Sequence, residues 1–206
     1  MQVKVFQQGM LSTNCVVISH ENSCVVVDCA YISKDIEYYV THNNLKVVAI
    51  LLTHGHFDHC GGVNHLLQSC NCQDVDIYCN DKDIDMCSMA ASNPWGIPSE
   101  NCVVTKSLQE GRLHLGPFVF DVISTPGHTA GSCVLLIDNY MLAGDTLFYR
   151  SVGRTDFPES NVLDMNISLR KLASLDKDYT VIPGHGQITT LSEEKKFNNY
   201  LLQALR

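Results

Sequence analysis

Three imidazoles and a carboxylate fall between residues 54 and 59, in the string Thr53-His54-Gly55-His56-Phe57-Asp58-His59-Cys60-Gly61-Gly62. The apolar run Val47-Val48-Ala49-Ile50-Leu51-Leu52 precedes it and reads as a buried strand. Gly61-Gly62-Val63 follows it and leads into His65-Leu66-Leu67, which reads as an opening helix. A strand must therefore carry all four polar side chains to one end of a sheet, just before a helix begins. Borderline divalent metals such as zinc or iron prefer that mixture of nitrogen and oxygen donors. A surface loop rich in histidine by chance needs no partners elsewhere, and this string has them.

The partners repeat one layout. Thr125-Pro126-Gly127-His128-Thr129-Ala130-Gly131-Ser132 sets a histidine after a Pro-Gly turn that follows the strand-like Phe118-Val119-Phe120-Asp121-Val122-Ile123. Leu142-Ala143-Gly144-Asp145-Thr146-Leu147-Phe148 sets an aspartate after the apolar runs Val134-Leu135-Leu136-Ile137 and Tyr140-Met141-Leu142. Val181-Ile182-Pro183-Gly184-His185-Gly186 sets one more histidine after a short apolar strand. Each polar residue stands where a strand stops and a glycine-containing loop starts. Ligands gather at such strand ends in open α/β sheets. His20, His42, His65 and His114 match no ligand motif and read as surface or satisfied core residues.

Taken together, these motifs resemble the metallo-β-lactamase superfamily, in the right order and over nearly the whole chain. The loops Thr-Pro-Gly-His-Thr-x-Gly-Ser, Gly-Asp-Thr-Leu-Phe and Pro-Gly-His-Gly look like its glyoxalase II (hydroxyacylglutathione hydrolase) branch. The resemblance implies an α/β fold, an αββα sandwich, with residues 1–206 as one domain. It implies two divalent metal ions, zinc first and iron or manganese as alternatives. His54, His56 and His128 would hold one, Asp58, His59 and His185 the other, and Asp145 would bridge them. The implied reaction is hydrolysis of thioesters such as S-lactoylglutathione by a hydroxide held between the metals, with Asp58 holding or moving its proton. The alternatives are an iron-dependent persulfide dioxygenase on the same fold, or a hydrolase of another ester or lactone. Arg154, in Gly153-Arg154-Thr155-Asp156, stands where relatives carry a basic residue that contacts glutathione; its competing reading is a salt bridge with Asp156. Asp28, at the end of Cys24-Val25-Val26-Val27, reads as a carboxylate that orients a ligand histidine from behind, or as a turn residue. The short stretch after His185 implies a compact form without the helical domain that longer glyoxalase II enzymes add, which leaves glutathione recognition incomplete.

Composition narrows the rest. A chain of 206 residues can bury roughly 70% of its unfolded surface in one core. Its net charge is −8 and its basic residues are scattered, which disfavours nucleic acid as a partner. No apolar run approaches a membrane span, and the start Met1-Gln2-Val3-Lys4-Val5-Phe6 alternates like a strand rather than like a signal peptide. Ten cysteines invite a disulfide reading, but Cys15, Cys24, Cys29, Cys79, Cys102 and Cys133 lie in or beside apolar runs, where a reduced thiol packs as a small hydrophobe. A reducing, cytoplasmic location is expected. Cys70-Asn71-Cys72 lacks a second pair, so no structural zinc is expected there. Cys60 is read as a bystander, the alternative being a soft group that reacts near the metals.

Elsewhere the patterning predicts strands at Val3 to Phe6, Cys15 to Ser19, Ser23 to Val27 and Val75 to Cys79, and helices at Ser33 to Val40 and Asn161 to Leu175. An amphipathic tail from Ser192 to Leu205 opens with a capping pattern at Ser192-Glu193-Glu194-Lys195. The only tryptophan lies in Ser92-Asn93-Pro94-Trp95-Gly96-Ile97-Pro98, read first as a plug over the core and second as a flap over the site.

Overall fold

The computed structural model describes residues 1–31 and 34–206. Its first half is a six-stranded sheet in the order β1-β2-β3-β4-β5-β6. Gln2–Gln8 (β1), Thr13–His20 (β2) and Ser23–Val27 (β3) run antiparallel in sequence. Helix α1 (Lys34–His42) then crosses to Lys46–Leu51 (β4), which lies parallel to β3. The helix expected from Ser33 is α1, Ser33 itself lying outside the described residues. The short helices α2 (Phe57–Cys60) and α3 (Val63–Ser69) lead to Asp76–Cys79 (β5), and α4 (Ile84–Ser88) leads on to Lys106–Ser107 (β6).

The second half mirrors the first, in the order β14-β13-β10-β9-β8-β7. Gly111–Leu115 (β7), Phe118–Ser124 (β8), Cys133–Ile137 (β9) and Tyr140–Gly144 (β10) are antiparallel neighbours. A small hairpin of Leu147–Phe148 (β11) and Ser151–Val152 (β12) precedes α5 (Val162–Ala173). Thr180–Pro183 (β13) returns parallel to β10, and Thr189–Thr190 (β14) closes the edge.

Three apolar layers explain why the central strands are apolar throughout rather than alternating. Val16, Ile18, Val25, Val27 and Leu51 face Phe118, Phe120, Leu135 and Ile182 between the sheets. Cys15, Val17, Val26 and Ile50 point the other way, onto Ile36, Val40, Val63 and Leu66 of α1 and α3. On the far face, Val134, Leu136 and Met141 pack on Met165, Leu169 and Leu172 of α5 and on Leu191 and Leu201 of the tail. A strand covered on both faces has no polar side to show. The register of β3 against β4 slips by one residue at Val48, a bulge that turns Val48 and Ala49 to the same layer. The result is an αββα sandwich in a single domain.

Helix α5 does more than cover a sheet. Its cap Asn161 accepts from Leu163 N–H at 2.9 Å and Asp164 N–H at 3.3 Å, a device that stabilises by about 1 kcal/mol. The Asn161 N–H also donates to Gly127 O at 2.8 Å, and Ser168 Oγ donates to Pro126 O at 2.7 Å. The His128 loop is thereby buttressed by a helix that starts thirty-odd residues later in sequence.

The tail differs from expectation. Its first helix, α6 (Leu191–Phe197), is capped by Thr190, whose Oγ1 accepts from Glu193 N–H, so Ser192 is inside the helix. The helix stops at Asn198, whose side chain caps a second helix, α7 (Asn199–Ala204), and also donates to Ser151 O at 2.9 Å. That tertiary bond breaks the single amphipathic helix in two. Among the described residues, no helix is long and apolar enough to cross a membrane.

Candidate metal centre

The polar loops meet at one end of the two sheets. From the first sheet, β4 ends at Leu51 and the chain runs through His54 and His56 into α2, which carries Asp58 and His59. From the second sheet come His128 after β8, Asp145 after β10 and His185 after β13. Two crossing bonds fix the sheets to each other here: Cys133 N–H donates to Thr53 O at 2.9 Å, and Asn14 N–H donates to Gly184 O at 2.7 Å.

All seven side chains converge. His56 Nδ1 lies 3.1 Å from His54 Nε2 and 2.9 Å from His128 Nε2. His185 Nε2 lies 3.3 Å from His59 Nε2 and 3.1 Å from Asp58 Oδ2. Asp145 stands between these groups, with Oδ2 3.4 Å from His128 and 3.7 Å from His185, and Oδ1 3.4 Å from His59. The ligand atoms of His54, His56 and His128 lie within 4.8 Å of one another, as do those of Asp58, His59 and His185, and those of His54, His59 and Asp145.

Each ring is held from outside. His128 Nδ1–H donates to Arg154 O at 2.9 Å, and His185 Nδ1–H donates to Leu11 O at 3.0 Å. His56 Nε2–H donates to Glu159 at 2.9 Å, and His59 Nδ1–H donates to Asp28 Oδ2 at 2.8 Å. Thr53 gives its hydroxyl proton to Asp28 Oδ2 at 2.8 Å, so Thr53 Oγ1 accepts from His54 Nδ1–H at 3.1 Å. Five outer nitrogens therefore carry the protons, and five inner nitrogens turn lone pairs toward two carboxylates. Such a centre is stable only with positive charge inside it. Asp145 Oδ1 is buried and makes no hydrogen bond among the described residues. Without a cation, a proton fills the role: burial opposes a charge on His59, but Asp28, Asp58 and Asp145 together hold its pKa well above the ordinary histidine value. His54 shows the opposite, its pKa pushed far down by burial and then by the neighbouring imidazoles. Burial alone would raise Asp58 and Asp145, yet His59 leads the groups that pull both below the usual carboxylate range. Imidazole and carboxylate donors in this number fit divalent zinc, iron or manganese.

Sequence reasoning missed the carboxylate that joins the loops. Asp83 is fully buried and accepts from Gly55 N–H at 3.0 Å, Gly131 N–H at 2.8 Å and Thr129 Oγ1 at 2.6 Å. It ties the His54–His56 loop to the His128 loop. A Cβ on Gly131 would sit 2.5 Å from the Asp83 carboxyl, so glycine is what lets the backbone approach. Gly184 is as constrained, since a Cβ there would sit 2.1 Å from Asp145 Oδ1. Also missed were Thr13, whose hydroxyl donates to Asp58 Oδ2 at 3.2 Å, and Glu159 and Thr53. Asp28 was singled out, and the structure sets it against both His59 and Thr53.

A cleft of about 270 Å³ opens over the cluster, lined by Leu11, Phe57, Trp95, Phe148, Phe157 and Arg154 together with the polar residues at its floor. Trp95 is half exposed and lies 5.5 Å from the Phe57 ring and 5.9 Å from Phe157, so it walls the cleft instead of plugging the core. Arg154 reaches the cleft but is gripped by both oxygens of Asp156 at 2.8 Å, with its guanidinium 4.3 Å over Phe157. Cys60 faces away, fully buried, its thiol pushed up by a bond to Cys87 and by burial. Cys15, Cys24, Cys79, Cys102 and Cys133 are core thiols. His65 pairs with Glu37 at 3.0 Å and His42 stacks on Tyr38, while His20 and His114 are exposed.

An αββα sandwich whose two sheets pool imidazoles and carboxylates at one shared end defines a metallo-hydrolase class of fold and site. Residues 9–185 match the family model described as Metallo-beta-lactamase superfamily, and the chain belongs to that superfamily. It is similar to the hydroxyacylglutathione hydrolase GloC of Haemophilus influenzae, at 30% identity over 98% of each chain. Among solved structures it is similar to BLEG-1, a B3 metallo-beta-lactamase, with a TM-score of 0.86 and 28% identity over 97% of this chain and 99% of that one. It is equally similar to TTHA1623 in a di-iron-bound form, with a TM-score of 0.86 and 30% identity over 96% of this chain and 99% of that one.

Proposed function

We propose that this protein hydrolyses thioesters of small thiols, S-lactoylglutathione among them, with two divalent metal ions. The observation that carries the reading is the complete second group, Asp58, His59 and His185, beside the first, His54, His56 and His128. Asp145 reaches both and is assigned as the bridge. A mononuclear iron oxygenase needs open positions and only two histidines and a carboxylate, so a second full group favours hydrolysis. Zinc is the first candidate metal, and the di-iron form of TTHA1623 makes iron the second.

Bound there, divalent cations would bring the pKa of a water toward neutrality and polarise a substrate carbonyl. The protein does the rest. Arg154 O, Leu11 O, Glu159, Thr53 and Asp28 hold the five rings in one orientation, so little reorganises during reaction. Asp58 lines the cleft and is assigned to hold the proton of the attacking water at a carboxylate oxygen. The leaving thiolate has a pKa of roughly 8.5, so its departure needs no strong acid. Arg154 is assigned to the anionic end of the thiol, which it can meet only by exchanging Asp156. The buried thiols fit a reducing cytoplasm.

The test is two assays on one preparation. Free thiol release from S-lactoylglutathione is followed without oxygen, and oxygen uptake is followed with glutathione persulfide and ferrous iron. Anaerobic thiol release with no persulfide-dependent uptake supports hydrolysis. Uptake without thiol release overturns it in favour of a persulfide dioxygenase, and silence in both moves the assignment to another ester or lactone.

A further inference from the structure

Resting on the thioesterase reading, we infer that the site selects its substrate by an apolar acyl chain and tolerates changes in the thiol, because an apolar lobe opens beside Asp58 while the one Lys or Arg among the described residues lining the cleft is already paired. The lobe measures about 300 Å³ and is lined by Gly9, Met10, Leu11, Ala30, Tyr31, Phe57, Ile97 and Pro98, with Asp58 at its inner end. Leu11, Phe57, Asp58 and Ile97 line the cleft over the cluster as well, so the two spaces adjoin. Asp58 is the only ionisable carboxylate or cation in the lobe among the described residues, and it belongs to the cluster.

Exposure adds an independent observation. Met10 is 75% exposed and Leu11 46% exposed, on the turn between β1 and β2. A large apolar side chain held in water next to a reactive centre gains from a ligand that covers it. Nothing in the packing of the core requires either side chain to be apolar. The Leu11 carbonyl, which holds His185, is backbone and would serve equally under a polar residue.

The thiol side offers the contrasting picture. A glutathione moiety brings two carboxylates and one ammonium. Of the described residues lining the cleft, the Asp58 lobe and a second lobe bounded by Met86, Met89 and Trp95, Arg154 is the one Lys or Arg. Its fork is filled by Asp156, and Glu159 stands nearby on His56. Basic side chains therefore give little grip on an anionic thiol, whereas apolar area gives grip on an acyl chain. The bonds made and broken are those of hydrolysis: water adds to the acyl carbon, the C–S bond breaks, and acid and thiol leave.

The experiment is a panel of acetyl, butyryl and hexanoyl thioesters, each made on glutathione and on the neutral thiol N-acetylcysteamine, with kcat/KM read for all six on the metal-loaded protein. Each fully buried methylene is worth about fourfold, and in a partly open lobe the expected rise is about tenfold or more from acetyl to hexanoyl on both thiols. Exchange of the thiol at fixed acyl length is expected to change kcat/KM by less than about threefold. In Met10→Ser and Ile97→Ser, the rise from acetyl to hexanoyl, taken relative to each variant's own acetyl rate, is expected to shrink below about threefold. A flat acyl series, or a glutathione preference above about tenfold, overturns the inference and leaves the thioesterase reading standing. Failure to cleave all six thioesters overturns both, a pattern distinct from either.

Discussion

The Asp83→Asn variant tests whether one buried carboxylate sets the spacing of two metal-bearing loops. Asp83 takes three hydrogen bonds, from Gly55 N–H, Gly131 N–H and Thr129 Oγ1, and every partner acts as donor. An asparagine of nearly the same shape has one oxygen where the carboxylate has two, and its amide nitrogen must face a backbone N–H. With the nitrogen in the Oδ1 position, the Gly131 N–H loses its acceptor and meets a donor, at roughly 1–3 kcal/mol, while the remaining oxygen still accepts from Gly55 and Thr129. A loss of about 2 kcal/mol corresponds to a fall in Tm of roughly 4–8 °C for a domain of this size. The loops relax where they carry His54, His56 and His128; Asp58 and His59 stand a few residues beyond Gly55 on α2, whose own helical turn holds them, and His185 follows β13. Support of this kind is worth about 10- to 100-fold in metal affinity, so the first group, both of whose loops Asp83 ties, should lose more affinity than the second. Thermal unfolding with and without metal reads the first quantity, and stepwise chelator competition reads the second. A variant that melts within about 2 °C of the parent and gives up both metals at the parent's chelator concentrations would show that Asp83 holds nothing together.

Further expectations concern the centre itself. Asp145→Ala should lower metal content at both groups and His185→Ala mainly at one, as elemental analysis will show; equal losses would dismiss the bridge. Arg154→Ala should raise KM for S-lactoylglutathione with a smaller effect on kcat, and by less than about threefold because Asp156 already occupies the guanidinium; a larger rise would show that the ion pair opens for substrate. In metal-free protein the proton on His59 stabilises the fold fully below the ordinary histidine range, and this contribution is lost as pH rises through the raised folded value. The depressed Asp58 and Asp145 act in the other direction, contributing above the ordinary carboxylate range and losing that contribution as pH falls through their folded values. Denaturation midpoints in chelator should therefore decline on the alkaline side, and added metal should cancel the decline. A flat alkaline limb would exclude His59 as the stored proton.

The parts legible in the sequence were those encoded over a few residues. His54, His56, Asp58 and His59 share one loop and one turn of helix, and His128, Asp145 and His185 each follow an apolar run that can only be a strand. The supporting residues gave no such signal. Asp83 meets Gly55 and Gly131 across 28 and 48 residues, and Glu159 meets His56 across 103. Its stretch Asn80-Asp81-Lys82-Asp83 holds two other acidic or amide side chains of equal standing before the fold picks one. Arg154 shows the reverse limit: the salt bridge with Asp156 that its sequence allowed is formed, while the guanidinium also lines the cleft, so its position alone does not separate its two readings. The tail misled because amphipathicity reports a buried face and not continuity, and Asn198 interrupts the helix through bonds to a distant hairpin.

The two sheets each own half of the centre, which makes its assembly a matter of timing during synthesis. His54, His56, Asp58 and His59 emerge from the ribosome with the first sheet, yet neither group closes until the second sheet is made. The first waits for His128 and the second for His185, after the last long strand. Until then the first half offers a proposed metal only part of each ligand group. If metal binds there as proposed, tight loading would report that both halves have docked.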